Sequence, residues 1–340
     1  MRALYPPHIM MLIVLAISGL ADAANVPGLY SATVPVADRS EEARLQAYQD
    51  SLAAVLVKVT GDRNISSDPE FLPLLETAPV LLQQYRYTAD EELWAAFDGP
   101  AVEQVLRSKG LPVWGSDRPP ILVWLAVDWG GGSRGLITAG EETDLRRSIE
   151  RVADSRGLVL VWPLFDSTDR SAMSFSDLWG GFTQKINAAS ARYDVSGILV
   201  GRATRGSTRL QVRWSLDMGG LIDEWRGGLT PGLHQVADTL ARRYAVRDSG
   251  QSEGVTIAIV GINSLADYAR VSDYLENLGL VRHLGVRRVF GNTILFDLEL
   301  QGDASRLPRI IELNDTLSRL ATEDTPAAAL SANQRYRFSP

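Results

Sequence analysis

Two aspartates stand at matching places in two apolar runs. Val123-Trp124-Leu125-Ala126-Val127 leads into Asp128, and Val161-Trp162-Pro163-Leu164-Phe165 leads into Asp166. If both runs are buried parallel strands, both carboxylates lie at the carboxyl edge of one sheet, where ligands of open α/β sheets bind. Such a pair could hold Mg²⁺ or share acid and base work, so a metal-dependent enzyme built on Asp128 and Asp166 is one reading. The plainer and preferred reading has each Asp turning the chain after a strand by bonding its own backbone. Gly130-Gly131-Gly132-Ser133-Arg134-Gly135 follows the first run. Its amides, with Arg134, could cradle a phosphate. It lacks both the Walker Lys-Ser/Thr and the GxGxxG spacing, which favours a flexible surface loop.

The tryptophans divide by context. Trp124, Trp162 and Trp214 lie on apolar strand faces and read as core, whereas Trp114, Trp129 and Trp179 fall in loops or at loop edges. Of these, Trp114 and Trp129 are the candidate stacking surfaces for a sugar or small ligand. Arg202, Arg205, Arg209 and Arg213 cluster in sequence and read as solvated strand and loop positions. Much chemistry is excluded. There is no Cys, hence no disulfide, thiolate site or Cys nucleophile. His234 and His283 sit at no metal spacing. No GxSxG elbow frames a hydrolytic serine. No catalytic residue, metal or cofactor is therefore assigned, and the net charge of −7 argues against general nucleic-acid binding.

The elements that must position these residues fall into an export segment and three modules. Residues 1–23 carry Arg2, the apolar run Met10–Leu20 and the small-x-small site Ala21-Asp22-Ala23. That pattern is a cleavable signal, too short for a membrane anchor, and it implies a periplasmic chain with no transmembrane segment after cleavage. Residues 24–115 form an α+β module, with a strand over Leu29–Val36, a helix over Glu41–Val59 and a hairpin of Leu81–Tyr87 with Glu92–Phe97 across Thr88-Ala89-Asp90. A helix over Ala101–Lys109 and a last strand over Leu111–Trp114 complete it. Ser116-Asp117-Arg118-Pro119-Pro120 is a boundary, because two prolines cannot sit inside a helix or central strand.

Residues 121–246 form an α/β module around a mixed sheet flanked by helices. Its strands are expected at Ile121–Val127, Leu158–Phe165, Gly197–Ala203, Arg209–Asp217 and Leu221–Arg226, the last two joined by Gly219-Gly220. Its helices are expected at Glu141–Arg156, at Phe182–Tyr193 and after Thr230-Pro231. Residues 254–340 follow a polar linker and read as β-α-β-β-α-β, a split βαβ, ferredoxin-like arrangement. A helix is expected over Leu307–Leu320 and a mobile loop over Ala321–Asn333.

Export signal, Val57-Lys58-Val59-Thr60-Gly61, Tyr85-Arg86-Tyr87 and the stretch from Trp114-Gly115-Ser116-Asp117-Arg118-Pro119-Pro120 to Val123-Trp124-Leu125-Ala126 together resemble one family. It is the proteobacterial exported family named as domain of unknown function 2066. The resemblance implies a Gram-negative envelope protein and brings no catalytic residues. In element order alone, the last module is similar to the sporulation-related peptidoglycan-binding domain. The first is similar to polypeptide-transport-associated domains. Together these readings point to a non-catalytic periplasmic adaptor or accessory factor of an envelope assembly, with envelope proteins as partners. The alternative is a glycan (peptidoglycan) or small-ligand binding module using the final sheet face or Trp114 and Trp129.

Overall fold

The computed structural model describes residues 26, 28–88, 91–140, 142–206, 209–247, 252–301, 303–313, 316–321 and 325–339. The export segment, and Ala89 and Asp90 of the first hairpin turn, lie outside the described residues. Among the described residues three sheets follow one another along the chain, each on its own apolar core. The fold is a mixed α/β and α+β multi-module one.

The first module comprises β1 (Ser31–Pro35), α1 (Glu41–Thr60), α2 (Leu72–Leu75), α3 (Ala78–Leu81), β2 (Leu82–Tyr87), β3 (Glu92–Phe97) and α4 (Gly99–Ser108). β3 lies between β1 and β2, antiparallel to both. α1 starts where Ser40 Oγ accepts from the Ala43 N–H, and it ends at Gly61 in a left-handed conformation. Leu52, Leu56 and Val59 bury their side chains against Leu93 and Leu106, while Leu45 falls outside the stripe. The strand expected at Leu111–Trp114 does not form. Val113 instead makes a single bridge to Val246, so this segment ties modules together rather than closing a sheet.

The second module comprises β4 (Pro120–Gly130), β5 (Ser133–Ile137), α5 (Asp144–Arg156), β6 (Val159–Val161), α6 (Ser167–Ala172), α7 (Phe175–Gly180), α8 (Thr183–Ser190), β7 (Gly197–Arg205), β8 (Leu210–Met218), β9 (Leu221–Gly227) and α9 (Leu229–Tyr244). The sheet runs β5-β4-β7-β8-β9, with β6 beside the start of β4. β4 is parallel to β6 and β7, and the other pairs are antiparallel. Val123, Leu125 and Val127 meet α5 and α9 on one face; Leu122, Trp124 and Ala126 meet α7 and α8 on the other. Burial on both faces is why this run is continuously apolar.

Two expectations change here. The second apolar run is a strand only over Val159–Val161, because Pro163 cannot donate to a ladder and the chain leaves the sheet. The glycine run is not a flexible loop: Gly130, Gly131 and Gly132 all take positive φ and turn β4 directly into β5.

The third module comprises β10 (Ser252–Val260), α10 (Leu265–Asn277), β11 (Val281–Phe290), β12 (Thr293–Gln301), α11 (Leu307–Ile311), β13 (Leu317–Arg319) and β14 (Gln334–Phe338). The order β11-β12-β10-β14-β13, with β10 and β14 parallel, is the split βαβ arrangement plus one extra edge strand. The expected helix over Leu307–Leu320 stops early, and Leu317–Arg319 pairs with β14 instead. The described part of the expected mobile loop, 325–333, is packed. Ala329 and Ala332 lie against Ala258 and Leu295, because methyl side chains let the strap approach the sheet closely. Asn333 brackets Thr256, donating its N–H to the Thr256 carbonyl (2.8 Å) and accepting the Thr256 N–H at Oδ1 (2.9 Å).

Candidate functional site

Asp128 and Asp166 each answer to a different arginine. Asp128 Oδ1 accepts the Gly130 N–H (2.9 Å), and Oδ2 accepts from Arg134 Nε across the hairpin (2.9 Å). Asp166 caps α6, accepting the Thr168 and Asp169 N–H groups, and receives a two-pronged contact from Arg192 (2.8 and 3.0 Å). Arg192 holds the Asp166 carboxyl down at about 2. The turn reading holds for both, since each carboxylate bonds its local backbone. Asp166 also lies beyond the end of β6, at a helix start and not at a strand edge. Neighbouring Asp169 is fully buried, accepting from the Phe165 N–H, the Tyr193 hydroxyl and Arg192. Among the described residues no group of three or more His, Asp or Glu side chains is placed to hold a metal ion.

Trp114 is not a stacking surface for a ligand. It is 1% exposed, and its ring lies under the Arg118 guanidinium, 3.5 Å from the ring centroid. Trp129 remains partly exposed, Trp179 stacks on Phe175, and Trp124, Trp162 and Trp214 are buried as the sequence indicates.

Arg118 opens the arrangement that sequence reading missed. The boundary peptide carries it into the junction of the first two modules, where it is 2% exposed. It donates to four carbonyls: Nε to Gly115 (2.7 Å), one terminal nitrogen to Gly157 (3.2 Å), the other to Lys58 (2.9 Å) and Trp114 (2.7 Å). Lys58 lies in the last turn of α1 and Gly157 caps the end of α5, so a single guanidinium binds the negative ends of two helices from two modules. Burial lowers its pKa to about 9.

Arg156, 1% exposed, repeats the device. It donates to the Gly61 carbonyl of the first module (2.8 Å) and to Asp238 of α9 (2.6 Å), and it lies 3.1 Å from His234 Nδ1. Burial, then the Arg156 charge, depress the His234 pKa. The backbones here are close: a Cβ at Gly61 would fall 2.2 Å from the Ala241 Cβ. Lys58 is also buried, its ammonium on the Gly28 and Ser31 carbonyls.

The third module joins at the same place. Val113 bridges Val246, and Arg306 donates to the Ala245 carbonyl. Val113, Trp114, Asp117, Tyr244, Leu280 and Ile310 surround a cavity of about 20 Å³, room for a single water. Burial raises Asp117 to about 6. The sequence signal for the junction was the Trp114–Pro120 stretch itself, which looked like a linker. Nothing in the sequence marked Arg156.

Residues 253–338 match the family model described as DUF2066, which supports the family that the sequence resembles. Residues 23–115 match a model described as Domain of unknown function (DUF8605). The DUF2066 match lies in the third module, whereas most of the Trp114–Ala126 stretch falls between the two matches. No curated protein and no solved structure matches the chain.

Proposed function

We propose that this chain is a non-catalytic periplasmic adaptor of an envelope assembly: a three-module frame that presents sheet edges to partner proteins. The observation that carries the reading is the buried arginine junction. Arg118 and Arg156 bind the first module to the second through backbone carbonyls, and Arg306 with the Val113–Val246 bridge adds the third. The carboxylates with catalytic potential are meanwhile engaged by arginines of their own. A frame of this kind holds its sheets in fixed relation, while β2 and β11 end their sheets with open edges among the described residues. Open edges are docking sites for extended partner segments. No helix among the described residues is long and apolar enough to cross a membrane.

The glycan reading has less support. The strap 325–333 covers part of the last sheet's outer face, and Trp114 is buried. The test is crosslinking in cells, with photoreactive residues at Gln84 on β2 and Arg288 on β11, and at Arg151 on the outer face of α5 as control. Partner adducts from the two edges and none from α5 support the adaptor. Adducts from none of the three sites count against it.

A further inference from the structure

The free edge of the central sheet is complementary to itself. β9 is the last strand of that sheet, and its register with β8 runs from Met218–Leu221 to Val212–Gly227 without a shift. Natural edge strands are usually blunted by bulges, prolines or charged side chains, lysine above all. β9, Leu-Ile-Asp-Glu-Trp-Arg-Gly, has no bulge, proline or lysine, and its charges, Asp223, Glu224 and Arg226, are of both signs, so they repel some partners and fit others. Leu221 and Ile222 are 61% and 50% exposed, and Asp223, Glu224 and Arg226 are exposed with no ion pair among the described residues.

The hairpin fixes which backbone groups are available. Gly219 and Gly220 both take positive φ, so the loop has two residues and Met218–Leu221 closes it. In such a hairpin the closing pair exchanges both its hydrogen bonds, and alternate residues then turn N–H and C=O away from the neighbour. On β9 those outward residues are Ile222, Glu224 and Arg226.

A second copy can meet this edge about a two-fold axis normal to the sheet, which pairs residues on the same face. An axis through Asp223, Glu224 or Arg226 sets that charge against itself. One through Ile222 leaves Glu224 facing the Gly220 turn. With the axis through Trp225, Glu224 faces Arg226 of the other copy on both sides, and these are the residues with free backbone groups. The two Trp225 side chains then face each other at the centre. Opposite charges directly across a strand pair stabilise it, and like charges destabilise it. We propose that the chain self-associates through β9 in this register, joining two central sheets into one continuous antiparallel sheet. The occupant of the edge is a second copy because the strand's own charge sequence is its complement.

Light scattering with size exclusion, over a concentration series of the processed chain purified after export, tests this. The unsubstituted chain is expected as a dimer. Glu224→Arg and Arg226→Glu each place like charges across both contacts and should raise the dissociation constant about tenfold or more. Two further arms separate this register from any general effect of charge. The double variant E224R/R226E restores the dimer. Mixing E224R with R226E in equal amounts gives a heterodimer, since each then carries the other's complement. All of these positions are exposed, and circular dichroism confirms folding. A chain that stays monomeric at all concentrations overturns the proposal, as do single variants that remain dimeric or a mixture that does not associate.

Discussion

The module junction and the β9 edge use the same residue types to opposite ends. At the junction, Lys58, Arg118 and Arg156 are at most 5% exposed, and their charges are absorbed mainly by backbone carbonyls. At β9, Asp223, Glu224 and Arg226 are exposed and make no ion pair among the described residues. A buried cation is committed, because removing its partners strands a charge in a dry interior. An exposed charge on a regular strand edge remains available and selects what binds by sign and spacing. β11 shows a third arrangement. It also ends a sheet, but two register shifts against β12 break its edge, and the Arg287 guanidinium already meets Asp297. An interrupted edge admits a short extended segment between its bulges, and a continuous one admits pairing along its whole length.

Substitutions sharpen that contrast, starting from the largest effect. Arg118→Met leaves four carbonyls without their donor and should cost about 3–5 kcal/mol in urea unfolding, since each buried acceptor left unpaired costs about 1 kcal/mol or more. Asp117→Asn acts in the other direction. Burial raises this carboxyl, so the folded chain holds its proton more tightly than the unfolded chain does. Its contribution to stability is present below the unfolded value and is lost as pH rises through about 6. The Asn variant should therefore gain up to about 3 kcal/mol at pH 7.5, since the carboxyl rises from 3.8 to about 6 and each pKa unit is worth roughly 1.4 kcal/mol. It should also flatten stability between pH 4 and pH 7, as read by denaturant midpoints across that range. Asp166→Ala removes the α6 cap and the Arg192 contact, for about 1 kcal/mol. Asp128→Asn disturbs one exposed pair and should cost under about 1 kcal/mol by the same titration. Glu224→Arg should leave the stability of each protomer unchanged within about 0.5 kcal/mol while weakening association about tenfold or more.

Legibility in the sequence followed the range of the interaction. Local signals read well: the helix over Glu41–Val59 forms as α1, Gly219-Gly220 turns β8 into β9, and the β-α-β-β order of the last module led to its sheet topology. Errors arose where distant groups decide. Leu317–Arg319 had helical spacing but pairs with β14, and Ala-rich 325–333 looked unstructured until the sheet beneath it supplied Ala258 and Leu295. The site was less legible than the fold. Asp128 and Asp166 attracted attention by matching positions, and each bonds its own turn or helix start, as the preferred reading has it. Arg118 sat between a tryptophan and two prolines and looked like linker. Its partners come from residues 58 and 157, separations that no spacing rule reaches.

The account stands on the three modules acting as one frame held at Arg118. Differential scanning calorimetry of the unsubstituted chain beside Arg118→Met tests this most directly. One cooperative transition for the former, splitting into separate, lower transitions in the variant, is the predicted result. Separate transitions already in the unsubstituted chain, or a variant that still unfolds as a single unit at the original temperature, would contradict it.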